Sequence, residues 1–393
     1  MNHVETLGNP LKFGSIEISN RFVAQPMERT GGDENGALIP DIINDYLELA
    51  RGNWGTIIME AMTVTDRYKS RKCQLVINEK NSQNLHDLVQ QMRKIAPDTK
   101  IIFQLTFPGV ISNFQKTTII PSIHEDDPSI KLLGDDEIGE ISSHFKNAID
   151  ISMDLGVDGV DIKACHGYMG IEFLRPLNQR AGKYGGSFEN RIRFFIDLYK
   201  YTQGQVKARG LEGFLIGSRV SIYEAIQGGF GTSGPGEIIE DLSEPCKFAE
   251  QVHDHGANYI NVTAGIPARM PELTRPSKSA PFGIFNHFRL TKTIKDHLEK
   301  RGKKMIVIGS AYSMLKEDLP RYAAGNVESC ATDLVGLGRQ ILADPAYPKK
   351  YLSGKKDTIN YCIGCNLCAK LLVKQRYVGC ANYYDKFKKN LKD

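Results

Sequence analysis

The sequence has no long apolar run, no strong charge of either sign and no secretory leader. No stretch approaches the roughly 18 consecutive apolar residues that a membrane-spanning helix needs. Its 50 basic and 46 acidic residues leave a net charge of +4, whereas a nucleic-acid-binding surface would need a larger and clustered basic excess. These absences exclude a helical membrane protein and argue against nucleic acid as a partner.

The amino end offers no export signal, because Met1–Pro10 has neither a basic start nor an apolar centre. Eight cysteines without such a signal favour a reducing, cytoplasmic compartment over a disulfide framework. Four of them are scattered and are predicted to be small buried apolar residues, namely Cys73, Cys165, Cys246 and Cys330.

The other four cysteines lie close together near the carboxyl end, with the spacing C-x2-C-x2-C-x11-C: Cys362, Cys365, Cys368 and Cys380. Three thiolates two residues apart can surround one inorganic centre, and a fourth can complete its ligands, as in a [4Fe–4S] cluster. Structural zinc sites more often use two separated C-x2-C pairs. The spacing therefore predicts an iron–sulfur cluster, with zinc and free thiols as the alternatives.

Eight short apolar runs alternate with helical patterns along the chain: Phe22–Ala24, Thr56–Met59, Ile101–Leu105, Gly159–Ile162, Phe214–Val220, Tyr259–Val262, Met305–Ile308 and Leu334–Leu337. Strand followed by helix, repeated eight times, predicts an α/β protein of the (β/α)8 TIM-barrel class. An open doubly wound sheet is the alternative, but no G-x-G-x-x-G follows the first run. We predict a barrel over residues 1–353 and a cysteine-rich iron–sulfur extension over 354–393.

Barrel enzymes place their chemistry at the carboxyl ends of the strands. Polar or turn-forming residues stand at or just after the predicted strand ends: Pro26, Glu60, Gln104, His166, Arg219, Gly309 and Arg339. Buried polar groups are costly unless they have partners, so we expect these positions to serve a ligand.

The densest motif is Asp161–Arg193, which contains H-G-Y, N-x-R and Y-G-G-S-x-E-N-R-x-R and is followed by Phe194. This string resembles the Old Yellow Enzyme family of FMN-dependent oxidoreductases, and the resemblance continues at Asn20–Phe22, Gly55–Ala61 and Gly338–Arg339. The cysteine spacing is similar to that of the branch with trimethylamine dehydrogenase and 2,4-dienoyl-CoA reductase. The resemblance implies a TIM barrel that binds FMN and a [4Fe–4S] cluster.

An FMN site needs an anion cradle, donors for the pyrimidine edge and a flat apolar wall. Loops after the seventh and eighth barrel strands commonly bind phosphate, and here they contain Gly309, Ser310, Gly338 and Arg339. Plain turns with a surface arginine are the alternative interpretation. The resemblance implies that Gln104 and Arg219 face the pyrimidine edge, and that the apolar wall consists of Ala24, Pro26, Met27 and Ala61.

The resemblance also assigns catalytic roles to Lys163, His166 and Tyr168. The first two would hold the carbonyl oxygen of a substrate, and Tyr168 would protonate the carbon α to that carbonyl. Lys163 departs from the family, in which histidine or tyrosine is usual. A salt-bridged lysine, a core histidine and an aromatic wall residue are the corresponding structural alternatives.

Glu28 is a second departure, because the trimethylamine branch has there a cysteine bonded to FMN, so covalent flavin is not expected. A carboxylate at this place should disfavour flavin reduction unless it is paired or turned away. Phe107 replaces a histidine that many relatives carry. Substrate contacts are expected from the loops Thr106–Asp127 and Ile266–His287.

Together these features predict an FMN-dependent reductase of an activated C=C bond in a small-molecule substrate, with single electrons relayed through the cluster. Related dienoyl-CoA reductases continue into an FAD- and NAD(P)-binding region. We therefore expect an external electron carrier or flavoprotein subunit, with NAD(P)H acting through it, and a homo-oligomer is left open. The alternatives are an oxidative amine dehydrogenase and, from another class, a zinc-bearing barrel lyase or electron-transfer subunit.

Overall fold

The structure, a computed structural model, describes residues 2–276 and 281–391. Eight parallel strands form a closed barrel: β3 (Phe22–Ala24), β4 (Thr56–Thr63), β5 (Lys100–Thr106), β8 (Gly159–Ile162), β9 (Leu215–Ser221), β10 (Tyr259–Thr263), β11 (Ile306–Gly309) and β12 (Leu334–Leu337). The last strand pairs with the first, with Val335 opposite Phe22 and Leu337 opposite Ala24. The predicted TIM barrel is confirmed, and an open sheet is excluded.

Helices follow the strands and cover the barrel: α1 (His3–Gly8), α2 (Pro40–Ala50), α3 (Glu79–Ile95), α4 (Pro121–Asp126), α5 (Asp135–Asp154), α6 (Met169–Leu174), α7 (Phe188–Arg209), α8 (Ser243–Asp254), α9 (Pro271–Thr274), α10 (Phe282–Lys300), α11 (Leu319–Glu328), α12 (Gln340–Ala343), α13 (Tyr347–Leu352), α14 (Leu367–Val373) and α15 (Asp385–Lys389). Three 3₁₀ turns join them, at Gly109–Ile111, Tyr312–Asp318 and Lys356–Thr358.

Two helical segments are interrupted in the structure. The segment Met314–Ala324 changes from a 3₁₀ turn to α11, because Lys316 takes a left-handed conformation with φ +49°. The segment Gln340–Lys350 separates into α12 and α13 because Asp344 is extended, with φ −148°. Pro345 explains the second break, since a residue that precedes proline is disfavoured in the helical region.

A short antiparallel hairpin closes the amino-terminal end of the barrel and has no clear signal in the sequence. Its strands are β1 (Leu11–Phe13) and β2 (Ile16–Ile18). Ile16 and Ile18 pack in one apolar cluster with inward residues of the barrel strands, including Val23. The hairpin thus covers the amino-terminal end of the barrel. A ligand site can therefore form at the opposite end, where the strands have their carboxyl ends. A minor parallel pair, β6 (Thr117–Thr118) and β7 (Lys131–Leu132), lies in the loop after β5.

The cysteine-bearing segment packs onto the barrel. Its side chains Leu371, Val378 and Phe387 are buried in the same apolar cluster as the barrel core. A hydrogen bond adds to this packing, in which the side-chain amide of Gln340 donates to the backbone carbonyl of Asn360 at 2.8 Å. The domain boundary at residues 353/354 stays a prediction, and residues 392–393 lie outside the described part of the chain.

Two of the four scattered cysteines differ from expectation. Cys165 and Cys246 are buried as predicted, whereas Cys330 is exposed and Cys73 is half-buried. Cys330 lies in the turn between α11 and β12 with φ +53°, so its side chain has no core to enter. Within residues 2–276 and 281–391, no helix is both long and apolar enough to cross a bilayer.

Candidate active site

A cavity of about 380 Å³ lies at the carboxyl ends of the barrel strands. Residues in β9, β10 and β12 and in the loops after β3, β4, β8, β10, β11 and β12 line it, together with residues of the cysteine-bearing segment. Part of the predicted FMN set faces this cavity: Pro26, Met27, Arg219, Ser310, Gly338 and Arg339. The rest is buried in the barrel wall behind it: Ala24, Ala61, Gln104 and Gly309.

Arg219, at the end of β9, is the main charged group on the floor of the cavity. Its guanidinium donates to the Oε1 of Gln25, which is held in turn by the amide of Asn261 at 2.7 Å. The Nε of Arg219 is buried and has no hydrogen-bond partner among the described residues. An orphaned cationic donor at this place fits the pyrimidine edge of a flavin.

Gln104 is buried in the barrel wall, where it contacts Asp161. Its amide donates to Asp161 at 2.8 Å, and Tyr259 donates to the other oxygen of the same carboxylate at 3.0 Å. Burial raises the pKa of Asp161 to about 6, although its hydrogen bonds and the charge of Arg219 act to lower that pKa. Gln104 thus reaches the site through Asp161, which also accepts from the backbone N–H of Arg219. Gln25 instead lies on the cavity wall, and nothing in the sequence distinguishes it from an ordinary strand residue.

The loops after β11 and β12 contain the residues that the sequence predicts as a phosphate cradle, and that role stays a prediction. Ala311 takes a left-handed conformation with φ +76°, which bends the chain directly after Gly309–Ser310. A Cβ on Gly338 would lie 3.3 Å from the Sδ of Met27, and one on Gly336 would lie 1.9 Å from the amide of Gln25. The two glycines therefore make room for the side chains of Met27 and Gln25 beside the backbone of β12 and of the loop after it. These residues fit FMN.

The three predicted catalytic residues all line the same cavity. The ammonium of Lys163 lies 3.3 Å from the ring centroid of Tyr168. The Nε2 of His166 is 3.3 Å from the Oγ1 of Thr263, and its backbone N–H donates to Ser221 at 3.2 Å. His166 itself has φ +62°, an uncommon conformation for a non-glycine residue, and strain of this kind often occurs at functional sites.

Electrostatics sets the protonation of these groups. Burial, and then the cations Arg219 and Lys163, lower the pKa of His166 well below its ordinary value, so the imidazole is neutral at pH 7. Burial also lowers the pKa of Lys163, and Glu28 opposes that shift. Burial and Glu28 raise the pKa of Tyr168 well above its ordinary value, so the phenol keeps its proton.

Glu28 is paired and lines the cavity. It accepts hydrogen bonds from the hydroxyl of Tyr168 at 2.7 Å and from Ser70 at 2.8 Å. The Nε of Arg71 lies 4.0 Å from the carboxylate. Burial pushes the pKa of Glu28 upward, but Arg71, Lys163 and the two hydrogen bonds outweigh it and hold the pKa below its ordinary value.

Arg71 was not predicted from the sequence, whereas Arg275 and His287 belong to the predicted substrate loop Ile266–His287 but were not singled out. Arg71, Arg275 and His287 all face the cavity. Arg71 lies in the loop after β4, and Arg275 follows α9, so neither occurs in a motif. Residues 277–280 of the predicted substrate loop Ile266–His287 lie outside the described residues. In the other predicted loop, Ile111 faces the cavity, whereas Phe107 packs against Tyr68 with ring centroids 5.1 Å apart.

The four clustered cysteines face one small cavity, which Arg339 also lines: Cys362, Cys365, Cys368 and Cys380. The loop turns twice, because Gly364 and Asn366 are left-handed with φ +70° and +58°. Burial raises the pKa of Cys368 to about 11, Arg339 opposes this, and Cys362 and Cys365 add to it. The thiols of Cys362, Cys365 and Cys368 therefore lie close enough for a charge on one to affect the ionisation of another.

Among the described residues, no three His, Cys, Asp or Glu side chains are grouped as ligands of a single metal ion. An iron–sulfur cubane is larger than one ion and holds its four thiolates farther apart than a tetrahedral zinc site does. The four thiols line one cavity of about 20 Å³, and the [4Fe–4S] cluster stays a prediction from their spacing. Cys368 and Arg339 line both this cavity and the FMN-sized one, so the two sites share a wall.

Comparison with known proteins decides the family. The profile of the family described as NADH:flavin oxidoreductase / NADH oxidase matches residues 6–358. The chain belongs to this family. It is thus an FMN-dependent oxidoreductase of the Old Yellow Enzyme type, as the resemblance implied, and family membership excludes the barrel lyase.

Two curated relatives of this flavin oxidoreductase match almost its whole length. The NADH oxidase of Thermoanaerobacter brockii is 29% identical over 93% of this chain and 54% of its own length. The cinnamate reductase of Clostridium sporogenes is 27% identical over 96% of this chain and 57% of its own. The chain therefore spans little more than half the length of either relative.

Among solved structures, 2-naphthoyl-CoA reductase in complex with 2-naphthoyl-CoA superposes with a TM-score of 0.81. It is 20% identical and aligns over 99% of this chain and 58% of its own. At that identity the likeness shows the fold of this flavin oxidoreductase and not its substrate.

Proposed function

We propose that this flavin oxidoreductase reduces a C=C bond conjugated to a carbonyl group, such as an enoate, an enone or an enoyl thioester. The observation that supports this most is the convergence of Lys163, His166 and Tyr168 on the cavity floored by Arg219. Two side chains can hold an oxygen there, and a third can deliver a proton. The name of the cinnamate reductase relative, whose reaction would be of this type, adds support.

FMN, when bound, would supply a hydride and be reduced again by incoming electrons. The residues of this chain would do the rest. Lys163 offers a positive charge, and neutral His166 offers one N–H donor, to the carbonyl oxygen of the substrate. Negative charge that develops on that oxygen is stabilised by donors fixed in advance in a site shielded from water.

Tyr168 would donate its proton to the carbon α to the carbonyl. The phenol is buried, with 4% of its surface exposed, so it faces the cavity and not bulk solvent. Its raised pKa keeps it protonated at neutral pH, and it is still far more acidic than a carbanion-like centre. Met27 and Ile111 would contribute apolar wall to the same cavity.

We further propose that electrons reach FMN through a [4Fe–4S] cluster held by Cys362, Cys365, Cys368 and Cys380. The shared wall at Cys368 and Arg339 supports a short route between the two cofactors. Cys365 is exposed, which would give an external electron carrier or flavoprotein subunit access to the cluster. NAD(P)H would then act through that partner.

An oxidative amine dehydrogenase is the second candidate, but the charge of the cavity disfavours it. A cationic amine would meet Lys163 and the guanidinium groups of Arg71, Arg219 and Arg275. Glu28 could attract an amine, but its carboxylate is already paired with Tyr168, Ser70 and Arg71.

The test is anaerobic photoreduction of the holoenzyme, followed by mixing with a panel of enoates, enones, enoyl thioesters and methylated amines. We expect conjugated carbonyl compounds to reoxidise the flavin. Tyr168→Phe should slow that step about 10²–10⁴-fold, as for loss of a general acid, whereas Tyr322→Phe, a tyrosine outside the cavity, should not. Reduction of the oxidised flavin by amines, with no reoxidation by any conjugated compound, would overturn the proposal in favour of the amine dehydrogenase.

A further inference from the structure

Glu28 and Tyr168 form a short hydrogen bond in the cavity wall. Three chain segments build it: Glu28 follows β3, Ser70 and Arg71 belong to the loop after β4, and Tyr168 follows β8. The hydroxyl of Tyr168 donates to one oxygen of Glu28 at 2.7 Å, and Ser70 donates to the other at 2.8 Å. The proton of Tyr168 thus points at a carboxylate.

This arrangement has a consequence for any proton that Tyr168 gives away. When the O–H bond breaks, its electron pair stays on the phenolate oxygen, beside the carboxylate of Glu28. Two negative charges at that separation repel strongly in a buried site. Tyr168 is 4% exposed and the side chain of Glu28 is 11% exposed, so Glu28 is the more accessible of the two to a proton from solvent.

The charges nearby match that deprotonated state. Lys163 lies over the phenol ring at 3.3 Å, and Arg71 lies 4.0 Å from Glu28. These two cations balance Glu28 and a phenolate of Tyr168, whereas the resting site carries one positive charge in excess. A further acid, Glu60, is buried behind the wall, and the charge of Glu28 contributes to raising its pKa.

We propose that Glu28 is the proton relay of Tyr168: it takes a proton from solvent and passes it along the 2.7 Å hydrogen bond to the phenolate. The step rests on the proposed reduction of a conjugated C=C bond. In that reaction the π bond breaks, the hydride forms the new C–H bond at the β carbon, and the proton of Tyr168 forms the one at the α carbon. Lys163 and Arg71 hold the negative charge until the solvent proton arrives through Glu28.

Glu28 is thus a positioning residue that acts through Tyr168, and Glu28→Gln separates this role from packing. Glutamine can still accept the hydrogen bond, but it cannot carry the proton. We expect the first reduction of an enoate by prereduced enzyme to stay within about 3-fold of native, because Tyr168 starts with its proton. The steady-state rate should fall at least about 10-fold.

A titration provides a readout that does not depend on turnover. The ultraviolet absorption of tyrosinate, taken as the difference between each protein and its own Tyr168→Phe version, follows the ionisation of Tyr168. Loss of the Glu28 charge should move this ionisation to lower pH. Glu34→Gln, an exposed carboxylate paired with Lys72, is the matched control and should change neither rate nor titration.

If Glu28→Gln lowers the rate of the first turnover and the steady-state rate by the same factor, Glu28 has a packing role only, and the relay is overturned. Native rates in Glu28→Gln, or an unmoved titration, would overturn it as well. The failure of the proposed function looks different, because then the native enzyme itself would reduce no conjugated acceptor.

Discussion

Arg29 holds the cysteine-bearing segment against the barrel, and its loss should release that segment. The guanidinium is buried, donates to the carbonyl of Val378 at 3.2 Å and pairs with Asp45. Its carbon lies 5.7 Å from the ring centroid of Tyr377. The backbone adds a bond in the other direction, from the N–H of Val378 to the carbonyl of Arg29 at 2.8 Å. We therefore predict that Arg29→Met destabilises the docking of residues 376–387.

The magnitude follows from what remains after the substitution. Removal of one partner of a buried ion pair costs about 3–5 kcal/mol when the other charge is left uncompensated. Here Asp45 keeps Lys386 at 2.9 Å, and the backbone bond to Arg29 does not involve the side chain. We therefore expect a cost somewhat below that range, about 2–2.8 kcal/mol. At about 1.4 kcal/mol per factor of ten, the open state of the segment should become roughly 30- to 100-fold more populated.

Hydrogen exchange measured by mass spectrometry checks this directly. Peptides that cover Val378 should exchange about 30- to 100-fold faster in Arg29→Met, while peptides from β5 in the barrel should not change. Lys386→Met is the matched control, because it removes the 47% exposed partner of the same Asp45 and should cost less than about 1 kcal/mol. Native exchange at Val378, or equal acceleration in β5, would refute the argument.

Three further predictions concern charge and the cofactors. Burial raises the pKa of Glu60 from 4.5 to about 7, so the native fold loses stability as the pH rises from about 4.5 to 7. Glu60→Gln should remove this loss. If the melting temperature of Glu60→Gln falls with pH as steeply as that of the native protein over this range, the prediction is wrong. Arg219→Gln should weaken FMN binding about 10- to 100-fold in equilibrium dialysis, because a charged donor is lost, and unchanged affinity would remove Arg219 from the flavin site. Cys365→Ser should lower the iron content, whereas Cys330→Ser, at the other exposed cysteine, should not; equal iron in both variants would exclude Cys365 as a ligand.

The barrel could be predicted because its strands are covered on both faces and therefore appear as continuous apolar runs. The break after Ala343 was also within reach, since Pro345 disfavours a helical Asp344. The hairpin Leu11–Ile18 was not, because three-residue strands with a single turn are too short to show a period. Its role as the cover of the barrel depends on packing against Val23, which is remote in sequence.

The residues of the site likewise differ in whether the sequence could predict them. Lys163, His166 and Tyr168 belong to one motif. They share a cavity because all three directly follow the same strand, β8. Gln25 and Arg71 stand in none, and they reach the site only because two other strands end beside it. The carboxylate of Glu28 could be recognised as unusual from the sequence, but its pairing could not, because Ser70 and Tyr168 are 42 and 140 residues away.

The charge of the cavity bears on the direction of electron flow. Among the described residues, the one acidic side chain on its wall is Glu28, against five basic ones: Arg71, Lys163, Arg219, Arg275 and Arg339. The histidines add no charge at pH 7, because burial lowers the pKa of His287 to about 4 and that of His166 well below its ordinary value. A wall of this sign stabilises each negative charge that reduction creates, first on the flavin and then on the substrate oxygen. It opposes entry of a cationic amine by the same interaction. The proposed inward flow of electrons, from the cysteine-bearing segment to the substrate, is therefore the direction that the cavity's own charges favour.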